Sequence, residues 1–276
     1  MEVAALFEQV PEGSALDSDG PKIEHLFDEF ADEVHEATQL AGKIRTSLNA
    51  LAQGARVGSV SSAEAQIRRL SESIADLRER VAHLSQSEQS LGIRGDGLNL
   101  PRYVEELRAE LGKKGVEAVK GPDPYWLVYP AWFTVARNSK GSVEVVVNGD
   151  RLDSVRPAEV AARIAEVVKE KFHAKRFADL LISVRDLLRR AGAANSVVAL
   201  EDIYEVLALE AGGRTARKKD FSKASFYYSV HRLAEELERT PSLGMDFPVA
   251  NRSPFIFFTR EGDGRRYLTV DFAGRR

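Results

Sequence analysis

From Ile23 onward apolar residues recur at alternating steps of four and three, at Ile23, Phe27, Phe30, Val34, Ala37, Ala41, Ile44, Leu48 and Leu51. That rhythm predicts a long helix with a heptad seam. A connection containing Gly54 and Gly58 follows, and Ser61-Ser62-Ala63-Glu64 then has the Ser-x-x-Glu form of a capping box. The same rhythm resumes at Ala63, Ile67, Leu70, Ile74, Leu77, Val81, Leu84, Glu88 and Leu91. Two seams of equal length predict an antiparallel coiled-coil hairpin over 21–92, behind a flexible arm at 1–20 that is rich in Pro, Gly, Ser and Asp. One register sets Leu51 against Ala63, Leu48 against Ile67, Ala41 against Ile74, Ala37 against Leu77 and Phe30 against Leu84, so that small faces large, as close packing requires. Two helices alone leave the flank of such a seam wet. Ile23, Phe27, Phe30, Val34, Ile44, Leu48, Ile67, Leu70, Ile74, Leu77, Val81 and Leu84 are therefore the candidates for self-association or docking, a homodimer mate or another protein completing a four-helix bundle.

Beyond the glycine-rich stretch Leu91 to Gly97 the pattern predicts a small α+β domain over 98–172. Leu100, Val104, Leu107 and Leu111 line one face of a helix ended by Gly112. The period then shifts to two. Val116–Val119, Tyr125 to Ala136 and Ser142–Val147 read as strands, Asn148-Gly149 is a hairpin turn, and Arg156-Pro157 opens a helix carrying Val160, Ile164, Val167 and Val168. The order matches that of a double-stranded-RNA-binding domain, but Pro157-Ala158-Glu159 lacks the basic cluster such a domain needs there.

Over 173–276 helical periodicity returns at Phe177, Leu180, Leu181, Val184, Leu187 and Leu188. A short extended piece, Ser196–Ala199, precedes a helix through Ile203, Val206 and Leu207, and a further helix begins near Ser222 with Phe226, Val230, Leu233 and Leu237 on one stripe. Pro254 to Arg260 and Arg265 to Phe272 alternate as a β-hairpin. The fold class predicted for the whole chain is α+β, mainly helical.

Charge changes the picture of the two ends. The net charge is −3, yet residues 171–276 carry 19 basic and 14 acidic side chains, leaving the excess of acid in the first 170 residues. Three helices followed by a two-stranded hairpin resemble the winged helix-turn-helix superfamily. The resemblance covers about residues 175–272 and rests on order and spacing. It implies that the helix from Ser222 is a recognition helix projecting Ser225, Tyr228, His231 and Arg232, and that Arg260, Arg265 and Arg266 flank a wing. Arg214, Arg217, Lys218, Lys219 and Lys223 would meet phosphates at the helix start, where free N–H groups await an anion. Winged helices also dock proteins, so duplex DNA and a protein partner both stay open as ligands.

Catalytic motifs do not enter. The chain has no cysteine, which removes disulfides and thiolate ligands and fits a reducing, cytoplasmic setting. His25, His35, His83, His173 and His231 are scattered, and no phosphate loop, nucleophile elbow or dinucleotide fingerprint occurs. Asp123 and Glu144 suggest a nuclease pair, but Val146 stands where the accompanying lysine belongs. The aromatic run Tyr125, Trp126, Tyr129, Trp132 and Phe133 is either core or a base-stacking face. The expectation is a non-enzymatic factor without metal, cofactor or membrane span, binding DNA through its C-terminal third. The alternative is an adaptor or structural subunit of an ATPase-driven DNA-maintenance or defence complex.

Overall fold

The computed structural model describes residues 22–58, 60–91, 98–192, 196–214, 222–239 and 244–272. The expected arm at 1–20 lies outside them. The fold is mixed α+β, mostly helical, with a small antiparallel sheet. Among the described residues no helix is long and apolar enough to cross a membrane. The chain divides into two compact units, 1–106 with 137–143, and 107–136 with 144–276.

The first unit is dominated by α1 (Ile23–Arg56) and α2 (Val60–Leu91), joined by a turn in which Gly58 takes φ 73°. They run antiparallel, with the Glu36 carboxylate paired to Arg80 and the Ser87 hydroxyl donating to Glu33 at 2.8 Å. No side chain of Lys22 caps α1. Its first N–H groups, of Ile23 and Glu24, instead donate to the carboxylate of Glu106 at 2.8 to 3.3 Å, so an acid offsets the positive helix end.

Eleven of the eighteen predicted seam residues face inward. Ile23, Phe27, Phe30, Ala37, Ile44 and Leu51 on α1, with Ala63, Leu70, Leu77, Leu84 and Leu91 on α2, are buried or half-buried. The second row is turned out: Val34, Leu48, Ile67, Ile74 and Val81 are 38% to 52% exposed. Their inward places go to the residues one position earlier, Glu33, Leu40 and Ser47 on α1 and Gln66, Ser73 and Ser87 on α2, which are half-buried. The expected pairings of Leu48 with Ile67 and of Ala41 with Ile74 thus concern residues on the outer flank. A three-four rhythm fits either choice of second row, and packing decides between them.

The second unit takes in the end of α3 (Leu100–Lys113) and, apart from Arg137 and Val143, a five-stranded antiparallel sheet in chain order: β1 (Val119–Lys120), β2 (Trp126–Val128), β3 (Ala131–Arg137), β4 (Val143–Val147) and β5 (Asp150–Arg151). The run Tyr125 to Ala136, predicted as one strand, is a hairpin that turns at Tyr129-Pro130 and pairs Trp126 with Phe133. Proline has no N–H to give a ladder, so the chain reverses there. At the predicted Asn148-Gly149 turn both residues have positive φ, 52° and 97°. A Cβ on Gly149 would stand 2.8 Å from the ring of Phe255, so glycine is required twice over.

After α4 (Pro157–Lys169) come α5 (Ala174–Arg190), β6 (Val197–Ala199), α6 (Leu200–Arg214), α7 (Lys223–Arg239), β7 (Phe257–Phe258), β8 (Gly264–Arg265) and β9 (Thr269–Asp271). The second arm of the expected terminal hairpin splits: β8 pairs with β7, and β9 crosses to β6. The sheet and the last third share one core. Trp132 donates its indole N–H to the Ile256 carbonyl at 2.8 Å, and Tyr125 packs between Trp132 and Phe258.

Candidate interaction surfaces

The α7 start is capped locally: the Ser222 hydroxyl accepts from the Ser225 N–H at 2.9 Å. Both hydroxyls, of Ser222 and Ser225, donate to the carboxylate of Asp150 on β5, at 2.6 and 3.1 Å. A carboxylate thus occupies the place that the resemblance reserved for phosphate. Lys223 pairs with Glu201 of α6.

Further along α7, Tyr228 and His231, expected to face outward, are buried, while Ser225 and Arg232 are half-buried. Ala224, Phe226, Tyr227, Tyr228, Val230, His231, Leu233, Ala234 and Leu237 are all buried, which is most of the helix circumference. Phe226, Tyr227 and Tyr228 are consecutive and sweep about 200° of it at 100° per residue. A helix apolar on so many sides belongs inside. Tyr227 meets Phe226 and Phe255, and Tyr228 meets Phe257. Burial raises the phenol pKa of both, that of Tyr227 to about 12.

His231 is fully buried and bonded through both ring nitrogens. Its Nε2 lies 3.2 Å from the Phe258 carbonyl, which only accepts, so Nε2 carries the proton, and Nδ1 accepts from the Tyr267 hydroxyl at 3.2 Å. The ring stacks on Phe257. Burial, seconded by Arg265 and Arg232 and opposed by the Phe258 carbonyl, lowers its pKa to about 4. Next to it Glu235 accepts from the Tyr129 hydroxyl at 2.8 Å, and burial raises the carboxyl pKa. This Tyr129–Glu235–His231–Tyr267 cluster was not found from sequence. The signal that could have pointed to it was the aromatic run at the head of α7.

Among the described residues, the remaining predicted DNA contacts are largely taken up by the fold. Arg232 donates to the Glu170 carbonyl at 3.0 Å and lies over the rings of Phe172 and Tyr228. Arg265 is paired with Glu238, and Arg266 donates to the Ser253 carbonyl at 2.8 Å. Arg260 is exposed and sits over the Tyr129 ring, 5.5 Å from its centroid. The side chain of Arg214, and Arg217, Lys218 and Lys219 entirely, lie outside the described residues. The aromatic run resolves as packing: Trp132 and Phe133 are buried, and Trp126 stacks against Phe133 under the Arg108 guanidinium. Glu144 is tied to Arg151 at 3.1 Å, and among the described residues no three His, Asp or Glu side chains gather as a metal site.

On the hairpin the two flanks differ in kind. Glu36, Gln39, Leu40 and Lys43 of α1 and Asp76, Glu79, Arg80 and His83 of α2 line one shared groove of about 530 Å³. This flank is polar and internally paired. The opposite flank carries the outward rows, with Val34, Ala41 and Leu48 from α1 and Ile67, Ile74 and Val81 from α2. Compared with known proteins, the chain matches no family model, no curated protein and no solved structure at a significant level.

Proposed function

We propose that this chain is a non-enzymatic protein-interaction subunit, an adaptor or structural member of a larger assembly, that docks through the apolar flank of its hairpin. The observation that carries this reading is the pair of branched aliphatic rows left in water on α1 and α2, while half-buried Ser, Gln and Glu side chains take the inward places. Contiguous apolar surface of this kind marks a contact site. In this reading the hairpin is an antiparallel coiled coil, and the last third is a winged-helix-like module. The order α5, β6, α6, α7 and β7 to β9, with β6 antiparallel to β9, supports the second part. Tyr228 and His231, two of the residues that would face a DNA groove, are buried in the fold, which favours protein over duplex DNA as the ligand. A non-catalytic role is supported by His231, whose two nitrogens are taken up by the fold.

The test compares the full chain with its Leu48→Asp/Ile67→Asp variant. A stoichiometric protein complex that persists in 1 M salt (about a 3 Å screening length) and is lost in the variant is the expected result. A complex indifferent to the substitutions overturns the reading. So does DNA affinity that falls steeply with salt in the absence of any protein complex.

A further inference from the structure

Arginines that the fold leaves without a carboxylate stand on the outer face of α5. Ala178, Leu181 and Val184 turn inward, where the helix packs on α6 and α7. Outward, Arg176, Leu180, Ser183, Leu187 and Arg190 follow one another in steps of four and three, which keeps them within about 80° of the helix circumference. All of them are exposed, Leu180 to 36% and Leu187 to 52%. Among the described residues neither guanidinium has an ion-pair partner, whereas Arg185, half-buried, is held by Asp186 at 2.7 Å. Ser183 donates its hydroxyl back to the Asp179 carbonyl at 2.9 Å and leaves a low point midway along the stripe. On α5 itself the exposed acid is Asp179, and Lys175 stands one turn before it. The stripe therefore has the spacing of a helix-pairing seam, with a cation at each end about 21 Å apart at 1.5 Å per residue.

We propose that this stripe is a docking site for an acidic amphipathic helix of another protein. A second copy of α5, laid antiparallel about Ser183, would set Arg176 against Arg190 at both ends, and a parallel copy would set each arginine against its own kind. Like charges oppose one another in either arrangement, so the seam does not suit self-pairing. Duplex nucleic acid would satisfy the arginines and leave Leu180 and Leu187 against phosphate and water. A helix with an acid towards each end and an apolar row between them satisfies both kinds of side chain. Its carboxylates meet the guanidinium forks, and the two leucines leave water against its apolar row. Opposite Ser183 the partner brings a large side chain, since close packing sets large against small. The site lies within the second unit and stands whether or not the hairpin flank docks.

The full chain tests this against two stapled, alanine-based helical peptides as probes. Both carry a row of leucines at the spacing of the stripe, in one peptide between glutamates and in the other between lysines. The glutamate peptide should bind about tenfold more tightly than the lysine peptide, and Arg176→Glu/Arg190→Glu should reverse that order. Leu187→Asp should abolish binding of either. The substituted side chains are exposed, so each variant should keep its circular-dichroism spectrum and melting temperature. Equal affinity for the two peptides, no affinity for either, or binding indifferent to Leu187→Asp overturns the proposal. Duplex DNA bound alike by the natural chain and by Leu187→Asp, but not by Arg176→Glu/Arg190→Glu, would give the stripe to nucleic acid and overturn it too.

Discussion

The hairpin and α7 invert each other. On α1 and α2 aliphatic side chains stand in water while Ser47, Gln66, Ser73 and Ser87 take half-buried inward places. On α7 a histidine and two tyrosines, polar enough for a surface, are enclosed on every side. Both helices break the simple amphipathic rule, in opposite directions and for different reasons. A helix buried over most of its circumference can enclose a polar ring that finds partners, as His231 does at Tyr267 and Phe258. A helix that exposes apolar rows leaves the surface on which the proposed docking would take place.

The contrast can be broken first at α7. Phe226→Ala should destabilise the fold by about 3–5 kcal/mol in chemical denaturation, since the ring is fully buried among Phe177, Tyr204 and Tyr227. A loss below about 1 kcal/mol would mean that α7 is not the centre of its unit. Acid should act next. His231 is held near 4 in the folded chain, against an ordinary value of 6.5, so between those values the unfolded chain binds the extra proton. Stability should be fully kept above pH 6.5 and fall as pH drops towards 4, by on the order of 3 kcal/mol. Glu235, whose pKa is raised, acts in the opposite sense over part of that window and trims the slope. Denaturation midpoints measured from pH 7 to 4 should show the fall in the natural chain and a flatter profile in His231→Phe.

A smaller effect sharpens the contrast at the start of α7. Ser222→Ala removes the cap and one of the two hydroxyls on Asp150, and should lower stability by about 1 kcal/mol in the same measurement. The smallest belongs to the hairpin. Ile67→Ala, in dilute solution, should change stability by about 0.5 kcal/mol or less, since its side chain is already half in water. A large loss there would show that the outward row serves the fold of the single chain and is no reserve for docking.

The elements themselves were largely legible. The two long helices, the Asn148-Gly149 turn, the extended piece before α6 and the start of α7 at Ser222 all follow from period, turn chemistry and caps, which act within a few residues. The split of Tyr125 to Ala136 was written in Pro130 and passed over. The candidate site was less legible. Spacing along α7 identifies its apolar stripe and is silent on what covers Tyr228 and His231, because the covering residues, Phe257 and Tyr267, come about 30 residues later.

What the sequence by itself determined is therefore local: which segments coil, where they stop, and that α1 and α2 each offer more than one apolar row. Which of those rows turns inward, and whether the last long helix faces water, was decided only by tertiary packing. The reason is that periodicity is a property of one element, whereas burial is a property of a pair. Each buried face exists only by virtue of the surface laid against it.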